Sequence, residues 1–384
     1  MISIINERSK RKIKSVDWLL ILAFILAPMT GLRVWKVGPA EALCVLWSIS
    51  QFKHILTLRI KDSFIAFWFP FLFAALIGSC IGEWFYPAES NINGMLVWLY
   101  LASVSLATYS GLKRKSHDQL ATMLIMVCYG TVIWYFGLYI YSLLVSRYFV
   151  GARLWYGYRF TGGAANPHQI ALLFSVVVLY LLFTLLEQMN NPKKWILVLY
   201  AGLTFFLLYK TYSTTALAAT VCGIVILCVT MVFKTTRARI VFALVILLLI
   251  VVNGDKLYEL FMAWVASDAN GMGRFNLIAQ FPTTFWKSPV FGLGPGTHAG
   301  GMEYHNTYLE VFATGGLVGF IFFLRYSVAL FKNTYFTPGA LAILSALYVY
   351  GLAGFGMRRL VYWIMISFIY CIADKTNTYE TRKI

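Results

Sequence analysis

A histidine and an asparagine stand side by side at the start of a long apolar run, in the stretch MEYHNTYLEVFATGGLVGF (302–320). An imidazole with a pKa of about 6.5 can accept a proton from a hydroxyl near neutral pH, so His305 is a candidate general base. Asn306 belongs to the residue types that cap helix N-termini. The structural interpretation, in which His305 is a capping or interfacial residue, stays open at this point.

Two arginines supply a second kind of chemistry. Arg159 and Arg274 each lie within a few residues of two glycines in an irregular segment. A guanidinium group is well suited to bidentate contact with phosphate. Two such cations and one base fit a reaction in which a hydroxyl attacks and a diphosphate leaves, and this reaction needs no metal or other cofactor because arginines can hold the departing charge.

A glycine-rich stretch, FGLGPGTHAGG (291–301), precedes the histidine. Gly294 and Gly296 lie within it, and glycine allows the backbone to come close to a ligand. The stretch lacks the GxxxxGK[ST] pattern of a phosphate-binding P-loop. A metal shared by His298 and His305 would need a third ligand, and none stands out in the sequence.

Membrane helices must position these residues. The chain is 60% apolar and only 12% charged, and apolar runs of about 20 residues are long enough to cross a bilayer. The pattern predicts an all-α polytopic membrane protein with about twelve spans, ten to twelve if the short runs are broken or tilted. The predicted spans are 16–32, 38–52, 63–82, 94–112, 119–146, 168–186, 195–209, 213–233, 240–253, 305–331, 339–356 and 360–373.

The basic excess follows the positive-inside rule. With the amino terminus in the cytoplasm, 21 of the 32 lysines and arginines fall in short inner loops, so the net charge of +17 reflects topology and argues against nucleic-acid binding. The opposite side receives the remaining cations, among which Arg33, Lys36 and Lys287 are equally well explained by contact with lipid headgroups. These eleven are Arg33, Lys36, Arg147, Arg153, Arg159, Lys210, Lys256, Arg274, Lys287, Arg358 and Arg359.

The sequence predicts a single transmembrane domain, 1–384, with two outer loops. We expect a medium loop at about 147–167 and a long loop at about 254–304, the latter with an amphipathic stretch at 255–266. The six cysteines lie in or beside apolar spans without metal-ligand spacing, so they are interpreted as packing residues. The first apolar run follows a basic segment but leads into another membrane segment, and it is therefore interpreted as a retained anchor.

The order of these features resembles the O-antigen ligase and O-antigen polymerase superfamily of bacterial membrane glycosyltransferases. The similarity is greatest in KSPVFGLGPGTHAGGMEYHNTYLEVFATGGLVGFIFF (287–323), with further similarity in RFTGGAANPHQIA (159–171) and GRFNLIAQFPTTFW (273–286). The resemblance implies a GT-C-type fold. It also implies that His305 is the essential histidine and that Arg274 holds the diphosphate.

One departure from the family pattern affects the expected substrate. Many ligases have Ser-Arg after the seventh span, whereas this chain has KTYSTTALAA (210–219), with Thr214 in place of the arginine. Lys210 or Arg159 would then supply that charge. The segment is more similar to the polymerases and the exopolysaccharide enzymes, and this similarity favours a polymerase.

The resemblance implies a transfer of saccharide from undecaprenyl diphosphate to an acceptor sugar, with inversion. The expected substrate-binding residues are Arg159, Lys210, Asn306, Tyr304, Gly294 and Gly296. The acceptor is another lipid-linked saccharide in a polymerase and lipid A-core in a ligase. A chain-length regulator and membrane lipids are further expected partners, and the expected location is the bacterial inner membrane, with both termini cytoplasmic and the site facing the periplasm. A lipid-saccharide transporter remains a second alternative.

Overall fold

The chain folds into a bundle of α-helices. The computed structural model describes residues 13–34, 37–86, 92–192, 194–233, 271–296 and 304–381. It also describes residues 235, 237, 244, 253–256 and 259. The helices of these residues are α1 (Asp17–Leu26), a 3₁₀ turn (Thr30–Leu32), α2 (Pro39–Ile55), α3 (Ser63–Phe85), α4 (Ile92–Lys113), α5 (His117–Leu144), α6 (Pro167–Glu187), α7 (Lys194–Lys210), α8 (Thr214–Val232), α9 (Gly271–Phe285), α10 (Thr307–Thr334), α11 (Pro338–Gly351) and α12 (Leu360–Thr381).

The medium loop forms two small antiparallel hairpins. In the first, β1 (Tyr148–Phe149) pairs with β2 (Ala152–Arg153), and in the second, β3 (Trp155–Tyr156) pairs with β4 (Arg159–Phe160). The sequence analysis did not predict these strands. Each strand has two residues, which is too short for the alternating pattern that identifies a strand in sequence.

The helical, polytopic membrane architecture predicted from the sequence is confirmed, but the count of twelve spans is not. Among the described residues, six helices are long and apolar enough to cross a membrane: α3, α4, α5, α6, α8 and α10. Helices α1 and α11 are apolar but have only 10 and 14 residues, and at about 1.5 Å per residue neither reaches the bilayer's thickness of about 30 Å. The predicted span 240–253 lies almost entirely outside the described residues.

Helix α6 and the first half of α12 lie at the centre of the bundle. Of the candidate spanning helices, α6 is the most buried, with 78% of its apolar window inside the protein. A helix that is apolar all round is suited to an environment of protein core or lipid, and for most of α6 that environment is protein. Aromatic rings of α3, α10 and α12 pack together, with Phe67 4.9 Å from Tyr326 and Trp68 4.4 Å from Trp363 between ring centroids. Close side-chain packing is a main source of helix association within a bilayer.

Opposite ends of the bundle differ in chemistry. At one end, Lys113 pairs with Asp62 at 2.6 Å and Lys115 pairs with Asp17 at 2.7 Å. At the other end lie the medium loop, the residues after α9 and the junction between α11 and α12, and we call this the loop end. Lys113 and Lys115, which the sequence assigns to the cytoplasmic side, thus lie at the end opposite the loop end.

Helix α10 is broken near its first third. Gly316 has φ 59° and ψ −157°, which is not helical, so the break leaves backbone groups without their intrahelical partners. The segment 289–294 provides those partners by exchanging main-chain hydrogen bonds with both sides of the break. The bonds run from Leu293 N to Ala313 O (2.7 Å), Gly294 N to Thr314 O (3.2 Å), Leu317 N to Pro289 O (2.8 Å) and Val318 N to Val290 O (3.1 Å).

Glycine is required on both sides of this exchange. A Cβ at Gly316 would lie 2.4 Å from the Val290 carbonyl, and a Cβ at Gly292 would lie 2.5 Å from the Ala313 oxygen. Helix α3 closes the other side, because a Cβ at Gly78 would lie 2.5 Å from the Phe291 oxygen. The segment 289–294 is therefore held between α3 and α10, and the non-helical backbone is buried in protein, as it must be at membrane depth.

We expect Gly316→Ala to destabilise the protein by about 3 kcal/mol or more, since it combines an unfavourable positive φ with a backbone clash. The measurement is thermal unfolding in detergent with a thiol-reactive dye, for which the buried Cys44, Cys128 and Cys371 are reporters. Gly202→Ala is the matched control, because Gly202 lies in α7 and a Cβ there meets nothing within 4 Å. Equal melting temperatures for the two variants would contradict the inference that the segment 289–294 is held tightly between α3 and α10.

Candidate active site

His305 occupies an unusual backbone position at the loop end. Its φ is +49°, a region that non-glycine residues seldom adopt and in which histidine is among the more frequent exceptions. The side chain is exposed, and its ring packs against Phe355 with 4.6 Å between centroids. Such strain persists only where the surroundings fix it, and it is concentrated at functional sites.

Tyr304 anchors the residue before the histidine. Its side chain is 2% exposed, and its hydroxyl donates to Thr284 Oγ1 at 2.6 Å. Burial raises the pKa of the Tyr304 phenol, so the group remains a hydrogen-bond donor at neutral pH. Its ring also contacts Phe281, 5.6 Å away. In this structure Tyr304 joins α9 to α10, and its predicted contact with a sugar stays a prediction.

Asn306 fixes the residue after the histidine. Its Oδ1 accepts from the backbone of Tyr308 at 2.9 Å and of Leu309 at 3.1 Å, so Asn306 is the N-cap of α10. Its Nδ2 donates to the Leu352 carbonyl at 2.8 Å. The hydroxyl of Thr307 extends this link, because it donates to Gly354 O at 2.8 Å. The start of α10 is thereby tied to the segment that follows α11.

A charged pair lies beneath this segment. Glu310 is 2% exposed and lies 3.6 Å from Arg358, whose guanidinium also stands 5.5 Å from the centre of the Phe355 ring. Trp98 and Met357 complete the crevice around them. In the sequence Arg358 is only an exception to the positive-inside bias, and its pattern does not assign it to a site. That exception, two adjacent arginines just before α12, was the available signal.

Arg159 belongs to a second cluster, to which the hairpin of β3 and β4 delivers it. Its Nε donates to the Thr211 carbonyl at 3.0 Å, and its Nη2 lies 3.3 Å from His168 Nε2. Since a guanidinium can only donate, His168 Nε2 accepts and its Nδ1 carries the proton. That Nδ1 lies 2.7 Å from Ser213 Oγ, the N-cap of α8. The sequence analysis did not identify His168 or Ser213 as site residues.

Lys210 lies at the same junction of α7 and α8 as Arg159. It is the last residue of α7, and its ammonium group stands 5.4 Å from the Phe206 ring. Thr214, which replaces the arginine of many ligases, is the first residue of α8. The charge that Thr214 cannot supply is thus present at this junction in Arg159 and Lys210.

The end of α11 connects the two clusters. The hydroxyl of Tyr350 donates to the His168 carbonyl at 2.9 Å. Two residues further along, the Leu352 carbonyl accepts from Asn306. Between them, Gly351 packs against Thr307, from which an added Cβ would stand 3.3 Å. The structure thus brings Arg159 and His305 to adjoining regions of the loop end.

The remaining predicted residues are placed less directly. Arg274 belongs to the first turn of α9, a helix whose other end contacts Tyr304 and Phe312. At Gly294 the close approach is to the protein itself, since a Cβ there would lie 2.5 Å from Ser79 Oγ. Gly296 has φ +89°, and its contact with substrate stays a prediction. His298 and most of the predicted amphipathic stretch lie outside the described residues, and no metal-binding cluster is found within the described part of the chain.

We expect Asn306→Ala to cost about 1–2 kcal/mol of stability, because it removes the cap of α10. Asn306→Asp is the informative partner, since its carboxylate can still cap the helix but cannot donate to Leu352 O. Thermal unfolding of both variants in detergent separates the two contributions. Equal losses in the two variants would assign the effect to the link with Leu352 and contradict a role of the cap.

One comparison with known proteins gives a match, and its range includes two of the predicted site residues. No curated protein matches the chain. A family model described as O-antigen ligase matches residues 196–324, which run from α7 through the broken part of α10 and include Arg274 and His305. Arg159 lies outside the matched range. The resemblance predicted from the sequence is confirmed, and over this segment, about a third of the chain, the sequence is similar to the O-antigen ligase family.

Proposed function

We propose that this membrane protein is a surface-polysaccharide polymerase. It transfers saccharide from undecaprenyl diphosphate to the acceptor sugar of a second lipid-linked saccharide and inverts the linkage. The family match supports O-antigen ligase or polymerase chemistry. The observation that carries the proposal is the exposed imidazole of His305, held at positive φ between the buried Tyr304 and the capping Asn306.

In the proposed reaction His305 accepts the proton of the acceptor hydroxyl. The hydroxyl oxygen bonds to the anomeric carbon on the face opposite the diphosphate, and the bond from that carbon to the diphosphate oxygen breaks. The configuration at the anomeric carbon is therefore inverted. An imidazole that is exposed but fixed at its backbone suits this role, because a general base must be both oriented and accessible.

Three cations would stabilise the leaving diphosphate. Arg274, Arg159 and Lys210 are the proposed contacts, and the partly buried Arg159 is already oriented by Thr211 and His168. Fixed donors aimed at developing charge act strongly where water is excluded. A diphosphate carries negative charge well, so loss of an arginine that binds it should be at least as harmful as loss of the base.

A ligase differs from this proposal only in the acceptor, which would be lipid A-core. The printed description of the matching family, O-antigen ligase, favours that alternative. The replacement of the ligase arginine by Thr214 favours the polymerase. In either case we place the site on the periplasmic face of the bacterial inner membrane, with both termini cytoplasmic and a chain-length regulator as a further partner of the polymerase.

The decisive test is complementation of a strain that lacks the gene. We expect His305→Ala and Arg274→Ala each to abolish the polysaccharide made by the wild type, with Arg274→Ala at least as severe. Gels of the surface polysaccharide and of the lipid-linked pool, with immunoblots for protein level, give the readout. His117→Ala is the matched control, because His117 is also exposed but begins α5 at the opposite end of the bundle.

The products distinguish the candidate functions. A ladder that shortens to single repeat units identifies a polymerase. Long chains that remain on the lipid carrier while core-linked saccharide is lost identify a ligase. Wild-type gels from a His305→Ala protein at normal abundance would overturn the catalytic role of His305 and favour a transporter.

A further inference from the structure

A buried carboxylate lies one and a half helical turns beyond the proposed base. Glu310 belongs to the first turn of α10, its side chain is 2% exposed, and Arg358 lies 3.6 Å from it with 22% of its own side chain exposed. A charge buried at this depth is costly unless an opposite charge compensates it. Arg358 provides that compensation from the segment before α12, so the pair joins the helix of His305 to a distant part of the chain.

One aromatic ring connects this pair to the imidazole. Phe355 is 5% exposed, and it contacts the His305 ring on one side and the Arg358 guanidinium on another. Both distances are measured to the Phe355 centroid, so together they limit the separation between Arg358 Cζ and the imidazole centre to about 10 Å. Two charges this close still interact through a protein interior.

The charge of Glu310 also acts on Tyr304, the residue before the histidine. Burial raises the pKa of Tyr304, and the charge of Glu310 raises it further. The carboxylate is therefore within electrostatic range of the segment that carries His305.

Several titratable or charged residues lie on the segments around that histidine. They are Tyr304 and Glu310 beside and within α10, Arg358 and Arg359 before α12, and Arg274 and Lys287 within and after α9.

We propose that Glu310 and Arg358 are positioning residues that act as one charge-balanced unit and set the protonation equilibrium of His305. The proposal rests on the proposed function, in which His305 is the base. With both charges present, their effects on the imidazole largely cancel. The pair thus allows a buried acid to tie α10 to the segment before α12 without converting His305 to a permanently charged group.

Removal of one charge of the pair shifts the pKa of His305 in a defined direction. In Glu310→Gln the guanidinium of Arg358 keeps its charge, because arginine does not lose its proton in proteins. An uncompensated positive charge disfavours the imidazolium, so the pKa of His305 falls. For a charge about 10 Å away the expected fall is about 0.3 to about 1 pH unit, depending on the local dielectric. The double variant Glu310→Gln with Arg358→Gln removes both charges and returns the pKa towards its wild-type value.

The measurement is a pH titration by NMR of the full-length protein in lipid nanodiscs, with isotopically labelled histidine. The chain has only five histidines, and the His305 signal is assigned as the one missing from His305→Asn. We expect a lower pKa in Glu310→Gln and restoration in the double variant. Glu187→Gln, at the exposed far end of α6, is the matched control and should leave the pKa unchanged.

The outcomes separate this proposal from the proposed function. An unchanged His305 pKa in Glu310→Gln, or a double variant shifted as far as the single one, overturns the charge-balanced unit even if His305→Ala is inactive. Restoration in the double variant supports it, since purely structural damage would accumulate. An active His305→Ala overturns the proposed base and leaves the titration result unaffected, because the titration contains no substrate.

Discussion

The break in α10 is the constraint on which the site depends. An unbroken helix would carry its first residues in line with the rest of the span. The non-helical Gly316 instead separates a short first part, which carries Glu310 and begins two residues after His305, from the longer second part. The break is tolerable because the segment 289–294 returns to the same depth and satisfies the exposed main-chain groups. The described part of the glycine-rich stretch up to Gly294 thus completes the hydrogen bonding of a membrane helix.

The histidine is consequently positioned by segments far apart in sequence. Tyr304 is held by α9, and Asn306 is held by the Leu352 carbonyl after α11. Residue 305 lies between these two fixed neighbours, and the positive φ follows from satisfying both. A substitution in α9 or in the segment after α11 can therefore move the imidazole without touching it. The site resembles a loop that is fixed at both ends, which combines accessibility with precise placement.

Sequence predicted most helices because apolar runs and caps are local signals. Asn306 was correctly interpreted as a capping residue, and its side chain caps α10. The contacts of Arg358 and His168 could not be predicted, since they depend on which helix ends meet in space. Helix α9 was also missed, because its glycines and Pro282 obscure the periodic pattern. The identity of the candidate base was readable from the sequence, whereas the residues that position it were not.

Several helices begin or end at the loop end, and their termini carry partial charges. Helices α6, α8 and α10 all begin there, and Asn166, Ser213 and Asn306 cap them. The caps satisfy individual N–H groups but leave the partial positive charge of each helix N-terminus in place. Arg159 and Lys210 lie where α7 ends, a position at which cations are favoured by the opposite partial charge. The loop end therefore combines three capped helix N-termini with Arg159 and Lys210, and in the proposed function these groups would face the diphosphate.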